Sequence, residues 1–259
     1  MAAAVPQTLA GNVSLITNIT TPFGYAIARR LGFAGSRLFV TGTCKGKTER
    51  AIKTLQDNGI DVAGACLDIT KSEERAQLPD LVDKEYGKLD SLVISHLENR
   101  LRGNLLDCSV EEVKEMYDKY LVAPFDVSKK LFPLLQKSDN GSIVLMSSIA
   151  GFTPFNDIGL YSTAQTAILG LTKNLAQSMA HMNVRVNSVS TGFMTDDNSG
   201  ASWDQASEEL RLQLETVIPL GRVAKMYEAT GTVEFLLGRN SSYISGENMI
   251  LNGGMSVRI

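Results

Sequence analysis

The stretch VSLITNITTPFGYAIARRL, residues 13–31, decides the fold. It begins with a short apolar run at 13–17, turns through polar residues, and continues into an amphipathic segment that contains Gly24. An apolar, β-branched run followed by an amphipathic segment predicts a strand that leads directly into a helix. The same arrangement recurs along the rest of the chain.

Further apolar runs follow, and amphipathic stretches separate them. They are RLFVTG (37–42), IDVAGACLD (60–68), LDSLVIS (89–95), GSIVLMSS (141–148), VRVNSVS (184–190) and NMILNGG (248–254). Strands that alternate with helices indicate parallel βαβ units, and nearly continuous apolar strands indicate a sheet that is covered on both faces. The sequence therefore predicts an α/β protein, a doubly wound parallel sheet of about seven strands, in one domain spanning 1–259.

Two helices between the strands have clear apolar stripes. The first begins with a capping box, in which Glu112 follows Ser109 by three residues. Its stripe is formed by Val113, Met116, Tyr117, Tyr120 and Pro124, and that of the second helix by Ala164, Ile168, Leu171, Leu175 and Met179. The polar stretch at 195–209 predicts a mobile loop that leads into a helix.

Composition excludes several classes of function. A formal charge of −3, with Lys and Arg scattered along the chain, argues against a nucleic-acid partner. The three cysteines, Cys44, Cys66 and Cys108, have no metal-type spacing and fit a reducing compartment. We find no secretory signal or apolar run long enough to span a membrane, and the ending Val257–Ile259 departs from peroxisomal tripeptides. We therefore expect a cytoplasmic protein, with the peroxisome as the alternative.

In a doubly wound sheet, a dinucleotide lies at the carboxyl ends of the strands, over a glycine-rich turn between the first strand and helix. Here that turn is TNITTPFGYAIARRL (17–31). The chain resembles the short-chain dehydrogenase/reductase family, with a Rossmann-like fold, and is similar to its carbonyl-reductase-like branch over nearly its whole length. The family's Thr-Gly-x-x-x-Gly-x-Gly pattern falls on Thr17, Asn18, Pro22 and Gly24. Only the last glycine, which permits helix packing, is retained.

The resemblance implies further positions for an NAD(P)(H) cofactor. With the turn, they form the set Thr17, Asn18, Pro22, Phe23, Gly24, Thr43, Asp68, Ile69 and Phe193. Pro22 lacks an amide and carries a ring where close approach is needed. Thr43 and Cys44 stand where NADP-preferring relatives have basic residues, and Lys45 follows. The family's Asn-Asn-Ala-Gly segment becomes 94–97, and its Pro-Gly becomes Thr191–Gly192. Asp68 matches the aspartate on the adenine side, although such aspartates also cap turns.

The family's four catalytic residues, Asn, Ser, Tyr and Lys, fall on Tyr120, Ser148, Tyr161 and Gln165. The lost lysine would favour the phenolate of Tyr161, since a unit charge at ~4 Å and an effective dielectric constant of ~20 is worth about 4 kcal/mol. Gln165 offers only a dipole. Tyr120 lies on an apolar stripe, so it packs in the core or fills the space that a relay water needs.

These departures favour a pseudoenzyme that has lost or strongly impaired hydride transfer, binds NAD(P)(H) weakly or not at all, and acts through a protein partner or assembly. One alternative is an active or weakly active NAD(P)(H)-dependent carbonyl or alcohol oxidoreductase. Another is a cofactor-independent binder of an apolar small molecule, under the loop at 193–215. We expect a homo-oligomer, a tetramer or dimer, with the helices at 109–136 and 160–182 at one interface. We predict no metal site.

Overall fold

The structure, a computed structural model, describes residues 7–95, 103–195 and 208–255. Its strands are β1 Val13–Ile16, β2 Arg37–Gly42, β3 Val62–Cys66, β4 Ser91–Ile94, β5 Gly141–Ser148, β6 Val184–Thr191, β7 Met194–Thr195, β8 Ala224–Lys225 and β9 Asn248–Leu251. Seven of them form one sheet in the order β3-β2-β1-β4-β5-β6-β9, in which every neighbouring pair is parallel. The seven predicted runs correspond to these seven strands.

The helices connect the strands across both faces of the sheet. They are α1 Pro22–Phe33, α2 Lys45–Asp57, α3 Ser72–Arg75, α4 Leu78–Tyr86, α5 Val110–Tyr117, α6 Ala123–Leu135, α7 Gly159–Met179, α8 Glu208–Val217 and α9 Met226–Leu237. Consecutive strand residues point to opposite faces, so Leu15 packs with the α4, α6 and α7 layer and Ile16 with the α1 and α9 layer. The doubly wound fold with helices on both faces is confirmed.

The helix that begins at the predicted capping box is not continuous. Ser109 and Glu112 form both bonds of the box, but a π turn at Asp118–Val122 separates α5 from α6. Our single helix over 109–136 was therefore wrong at its centre, because side-chain periodicity does not reveal a local change in the backbone hydrogen-bond register. Such π turns occur frequently at functional sites, and this one contains Tyr120.

Several predictions fall outside the described residues. They concern His96 and Leu97, most of the polar stretch at 195–209, and the ending Val257–Ile259. The helix predicted after the polar stretch is present as α8. None of the helices in the described part is long and apolar enough to cross a membrane. All three cysteines are free thiols.

Candidate functional site

The site is built where the strand order reverses. The chain moves outward from β1 to β2 and β3, then returns to place β4 on the other side of β1. In open α/β sheets, ligands bind in the crevice at this switch point. Thr17 and Asn18 follow β1 there, and Ser95 follows β4, so these residues form the described floor of the crevice.

Asn18 ties the two sides of the crevice together. Its backbone has φ 57°, in the left-handed region that asparagine tolerates better than most residues. Its buried side-chain amide donates to the carbonyl of Ser95 at 3.1 Å. The Oγ1 of Thr17 accepts from the amide of Ser95 at 3.0 Å, so Thr17 also joins β1 to β4. The side chain that replaces the first glycine thus bridges the switch point.

The N-terminus of α1 is capped by the chain itself. Thr21 is the N-cap, and its Oγ1 accepts from the amide of Gly24 at 3.1 Å. The Thr21 carbonyl accepts from the amide of Tyr25 at 3.0 Å, and Pro22 at the first helical position has no amide. Among residues 22–25, only Phe23 has an amide that Thr21 does not bind. A helix N-terminus binds anions through such amides, and here few of them remain.

Gly24 has the packing role expected of the last glycine. A Cβ atom at this position would lie 2.3 Å from the carbonyl oxygen of Asn18. The side chain of Phe23 is buried in the core beside α1. The turn therefore preserves the contact between helix and sheet.

The adenine side of the predicted cofactor site has few groups directed at a ligand. Thr43 is exposed, and Cys44 caps α2 without a side-chain hydrogen bond. The Oδ1 of Asp68 accepts from both the amide and the hydroxyl of Thr70, at 2.9 and 2.8 Å. Ile69 is buried. The carboxylate of Asp68 is thus engaged in a turn.

Ser148 and Tyr161 lie together. Ser148 ends β5, and Tyr161 lies in the first turn of α7. Burial raises the pKa of the Tyr161 phenol to about 12, while its side-chain hydrogen bond with Ser148 acts in the opposite direction. Among the described residues, no cation contributes to this shift in pKa. Because a general acid works best with a pKa near the operating pH, this phenol donates its proton poorly at neutral pH.

Gln165 lies one helical turn after Tyr161, and its side chain is completely buried. Neither its Oε1 nor its Nε2 has a hydrogen-bond partner among the described residues. A buried polar atom without a partner costs about 1–3 kcal/mol. The side chain that replaces the lysine therefore has a carboxamide that no group in the described part of the chain satisfies.

Tyr120 packs against Tyr161 from the π turn. The two rings meet edge to face, with centroids 5.4 Å apart and an interplanar angle of 80°. The Nζ of Lys119 lies 5.2 Å from the centroid of the Tyr120 ring. A cavity of only about 20 Å³ remains between Tyr120 and Ser95. Tyr120 is therefore a buried core residue, and little free volume remains beside it.

Two larger cavities adjoin the site. One, of about 80 Å³, lies beside Tyr161 and is lined by Asp107, Cys108 and Glu112. The other, of about 170 Å³, contains Phe193, whose ring meets that of Phe155 edge to face at 5.8 Å. Both are smaller than the ~300–1,000 Å³ of ordinary ligand sites. No group of His, Cys, Asp and Glu in the described part is arranged to hold a metal ion.

Comparisons with known proteins identify the family of the chain. A model of the family described as enoyl-(acyl carrier protein) reductase matches residues 20–256. Dehydrogenase/reductase SDR family member 4 of Rattus norvegicus is 34% identical over 252 residues, which cover 97% of this chain and 89% of the relative. The chain belongs to the short-chain dehydrogenase/reductase family. Tropinone reductase-like 3 of Erythroxylum coca is 32% identical over 249 residues, 96% of this chain and 95% of the relative.

Solved structures of short-chain dehydrogenases/reductases share the fold. A variant of the Serratia marcescens enzyme of this name superposes with a TM-score of 0.86, at 24% identity, over 96% of this chain and all of the other. A short-chain type dehydrogenase/reductase from Mycobacterium marinum gives a TM-score of 0.86, at 24% identity, over 96% and 97% of the two chains.

The family generally uses NAD(P)(H), whose pyrophosphate lies at the N-terminus of the first helix. Thr21 caps that N-terminus here, and the sequence analysis did not identify it. Its signal was present, since a threonine followed by proline is a common start of a helix. An alignment of the turn by its glycine positions does not reveal which side chain caps the helix. The cap explains how α1 begins stably without the glycines of the short-chain dehydrogenase/reductase pattern.

Proposed function

We propose that this chain is a short-chain dehydrogenase/reductase in which hydride transfer is lost or strongly impaired, and that it acts by binding. The observation that carries the proposal is that the chain's own residues use or remove the ligand-binding groups of the β1–α1 turn. Thr21 holds the amide of Gly24, Pro22 has no amide, and Asn18 bridges to Ser95. These residues do not fit a pyrophosphate, which needs free amides and close backbone approach.

The catalytic residues support the same proposal. Tyr161 has a pKa of about 12, which disfavours both the phenolate and proton donation at neutral pH. Gln165 has no charge to offer to the phenol or to a ribose. The turn and the catalytic pair therefore both support the loss of hydride transfer. We infer that NAD(P)(H) binds weakly or not at all.

Thermal melting with cofactor tests the proposal. A ligand at one hundred times its Kd stabilises a protein by about 2.7 kcal/mol, which is a shift of roughly 5–10 °C for a chain of this length. We expect millimolar NADH or NADPH to shift the Tm by less than ~1 °C. A shift of several degrees that is removed in the Asp68→Ala variant would overturn the proposal.

A weakly active carbonyl oxidoreductase is the second candidate, because the bond between Ser148 and Tyr161 is retained. Loss of one member of a catalytic group does not always abolish turnover. Single-turnover measurements with NADPH and a carbonyl compound distinguish the two candidates. Activity that disappears in Tyr161→Phe would favour the enzyme, and the absence of any such activity would favour the pseudoenzyme.

A further inference from the structure

A surface groove begins at the β1–α1 turn, where Thr20, Thr21 and Pro22 line one end of it, and runs between α1, α2 and the start of α9. Its volume is about 440 Å³, larger than that of the cavities beside Tyr161 and Phe193. We call it the α1–α2 groove. Its main side chains are Tyr25, Arg29, Lys47, Arg50, Met226 and Tyr227.

The groove is positively charged in a chain that is negative overall. Helix α1 contains two arginines and no acidic residue, and α2 contains four basic and two acidic residues, whereas the whole chain carries −3. Arg30 of α1 is paired with Glu234. Arg29, Lys47 and Arg50 are exposed, and none of them forms a salt bridge with a carboxylate in the described part of the chain.

The three cations lie beyond the residues of the predicted cofactor site, and the groove meets that site only at its Pro22 end. Arg29 lies near the middle of α1, two turns beyond the capped N-terminus, and its guanidinium contacts the ring of Phe33 at 5.2 Å. Lys47 and Arg50 lie within α2, after the positions that follow β2. The charge is therefore carried by the flanks of two helices.

Between the cations the groove is aromatic and apolar. Tyr25 of α1 and Tyr227 of α9 are both partly exposed, and Met226 lies next to Tyr227. Tyr, Met and Arg are the residue types that are enriched in protein–protein interfaces. The groove thus offers positive charges for an anionic ligand and an apolar surface for its hydrophobic groups.

We propose that the α1–α2 groove binds an acidic, partly apolar segment of a partner protein. Carboxylates of the segment pair with Arg29, Lys47 and Arg50, and its apolar side chains contact Tyr25 and Tyr227. The proposal does not rest on loss of the cofactor, because the side chains that contact the segment belong to α1, α2 and α9 and are not among those predicted to hold the cofactor. The proposed segment would be a partner for a protein that acts by binding.

The shape and charge favour a peptide over other anions. A small phosphorylated molecule needs a site that covers ~70–90% of its surface, whereas the cations and Tyr227 of this groove are exposed. A nucleic acid would extend beyond the groove onto a surface that is negative overall, where its phosphates are repelled.

Fluorescence anisotropy of a labelled short peptide of alternating glutamate and leucine tests the proposal with the full chain. The Lys47→Gln, Arg50→Gln double variant should weaken binding about tenfold, since two ion pairs are lost. Tyr227→Ser, which leaves the charge unchanged, should weaken binding by at least ~threefold through loss of the aromatic contact. The matched control is Lys53→Gln, Lys173→Gln, which removes two exposed lysines outside the groove and should leave binding unchanged.

Three results would overturn the proposal. The first is equal affinity in the groove and control variants, which would indicate diffuse electrostatics. The second is tighter binding of inorganic phosphate or a short oligoadenylate than of the peptide, with the same dependence on Lys47 and Arg50. The third is a lower molecular mass for the groove variant in light scattering, which would make a second copy of this chain the occupant.

Discussion

The side-chain amide of Asn18 and the carbonyl of Ser95 are joined by a hydrogen bond of 3.1 Å. This bond connects the ends of β1 and β4, between which the switch-point crevice lies. Asn18 pays no large backbone penalty at φ 57°, because asparagine tolerates the left-handed region. The residue that departs from the family's first glycine is therefore a well-accommodated structural element of this protein.

Reopening the turn should restore some response to cofactor. We expect Asn18→Gly with Pro22→Gly to raise the NADPH-dependent shift in Tm from less than ~1 °C to several degrees, because the bridge is removed and an amide is returned. Asn183→Gly is the control, since Asn183 also has positive φ, 59°, but lies far along the chain at the end of a helix. An unchanged response in the double variant would show that the turn is not what excludes the cofactor.

Removing the unsatisfied carboxamide should stabilise the protein. Gln165→Met replaces two buried polar atoms without partners by apolar atoms of similar volume, so we expect a gain of about 1–3 kcal/mol in the free energy of unfolding. Chemical denaturation measures it. Gln177→Met, at an exposed position of the same helix, should have little effect. A loss of stability in Gln165→Met would contradict the prediction, because it would show that the carboxamide is satisfied in the folded protein.

Returning the charge alone should not create an efficient reductase. In Gln165→Lys, the cation is restored next to Tyr161, but the turn is still occupied by Thr21, Pro22 and Asn18. We expect turnover with NADPH and a simple carbonyl compound to stay far below the ~10 per second of an ordinary enzyme. Turnover at that rate would show a working cofactor site and would contradict the proposed function.

The pKa of Tyr161 predicts a pH dependence of stability. Its folded-state pKa of about 12 is above the ~10 of an exposed tyrosine, so the neutral phenol stabilises the fold fully below pH ~10, and this contribution is lost as the pH rises towards ~12. The loss should be about 3 kcal/mol larger in the wild type than in Tyr161→Phe, which keeps the contribution of Tyr86, whose pKa is also raised by burial. Denaturation at several alkaline pH values measures it.

Tyr243→Phe is the control for this titration, because Tyr243 is fully exposed and its removal should leave the pH dependence unchanged. Identical pH profiles for the wild type and Tyr161→Phe would mean that Tyr161 titrates at an ordinary pKa, and the argument against proton donation would fail.

Assembly can be tested on α6. Phe125 is 43% exposed, and we predict that it lies at an interface of a homo-oligomer, a tetramer by family resemblance. Phe125→Glu should reduce the mass measured by light scattering, because it places a charge in an apolar contact. Phe33→Glu, at a similarly exposed aromatic on α1, should not reduce it. A wild-type mass of about one 28.1 kDa chain at micromolar concentration would contradict the prediction.

Much of the fold was predictable from the sequence, because strands and helices have side-chain periods that a pattern of apolar residues displays directly. The family resemblance assigned Ser148 and Tyr161 to one catalytic group, whereas the strand order was not predicted. The π turn at 118–122 was not predicted either, since it is a change in backbone hydrogen bonding that leaves the apolar stripe through Tyr120 intact.

The sequence by itself determined the strands, the capping box at Ser109, and the absence of a cation at position 165. Only the tertiary structure decided which groups face each other. It joined Asn18 to Ser95, left the carboxamide of Gln165 without a partner, and gathered basic residues that are scattered in sequence into the α1–α2 groove. The physical reason is that hydrogen bonding, burial and charge pairing depend on distances in space between residues, which no local pattern along the chain contains.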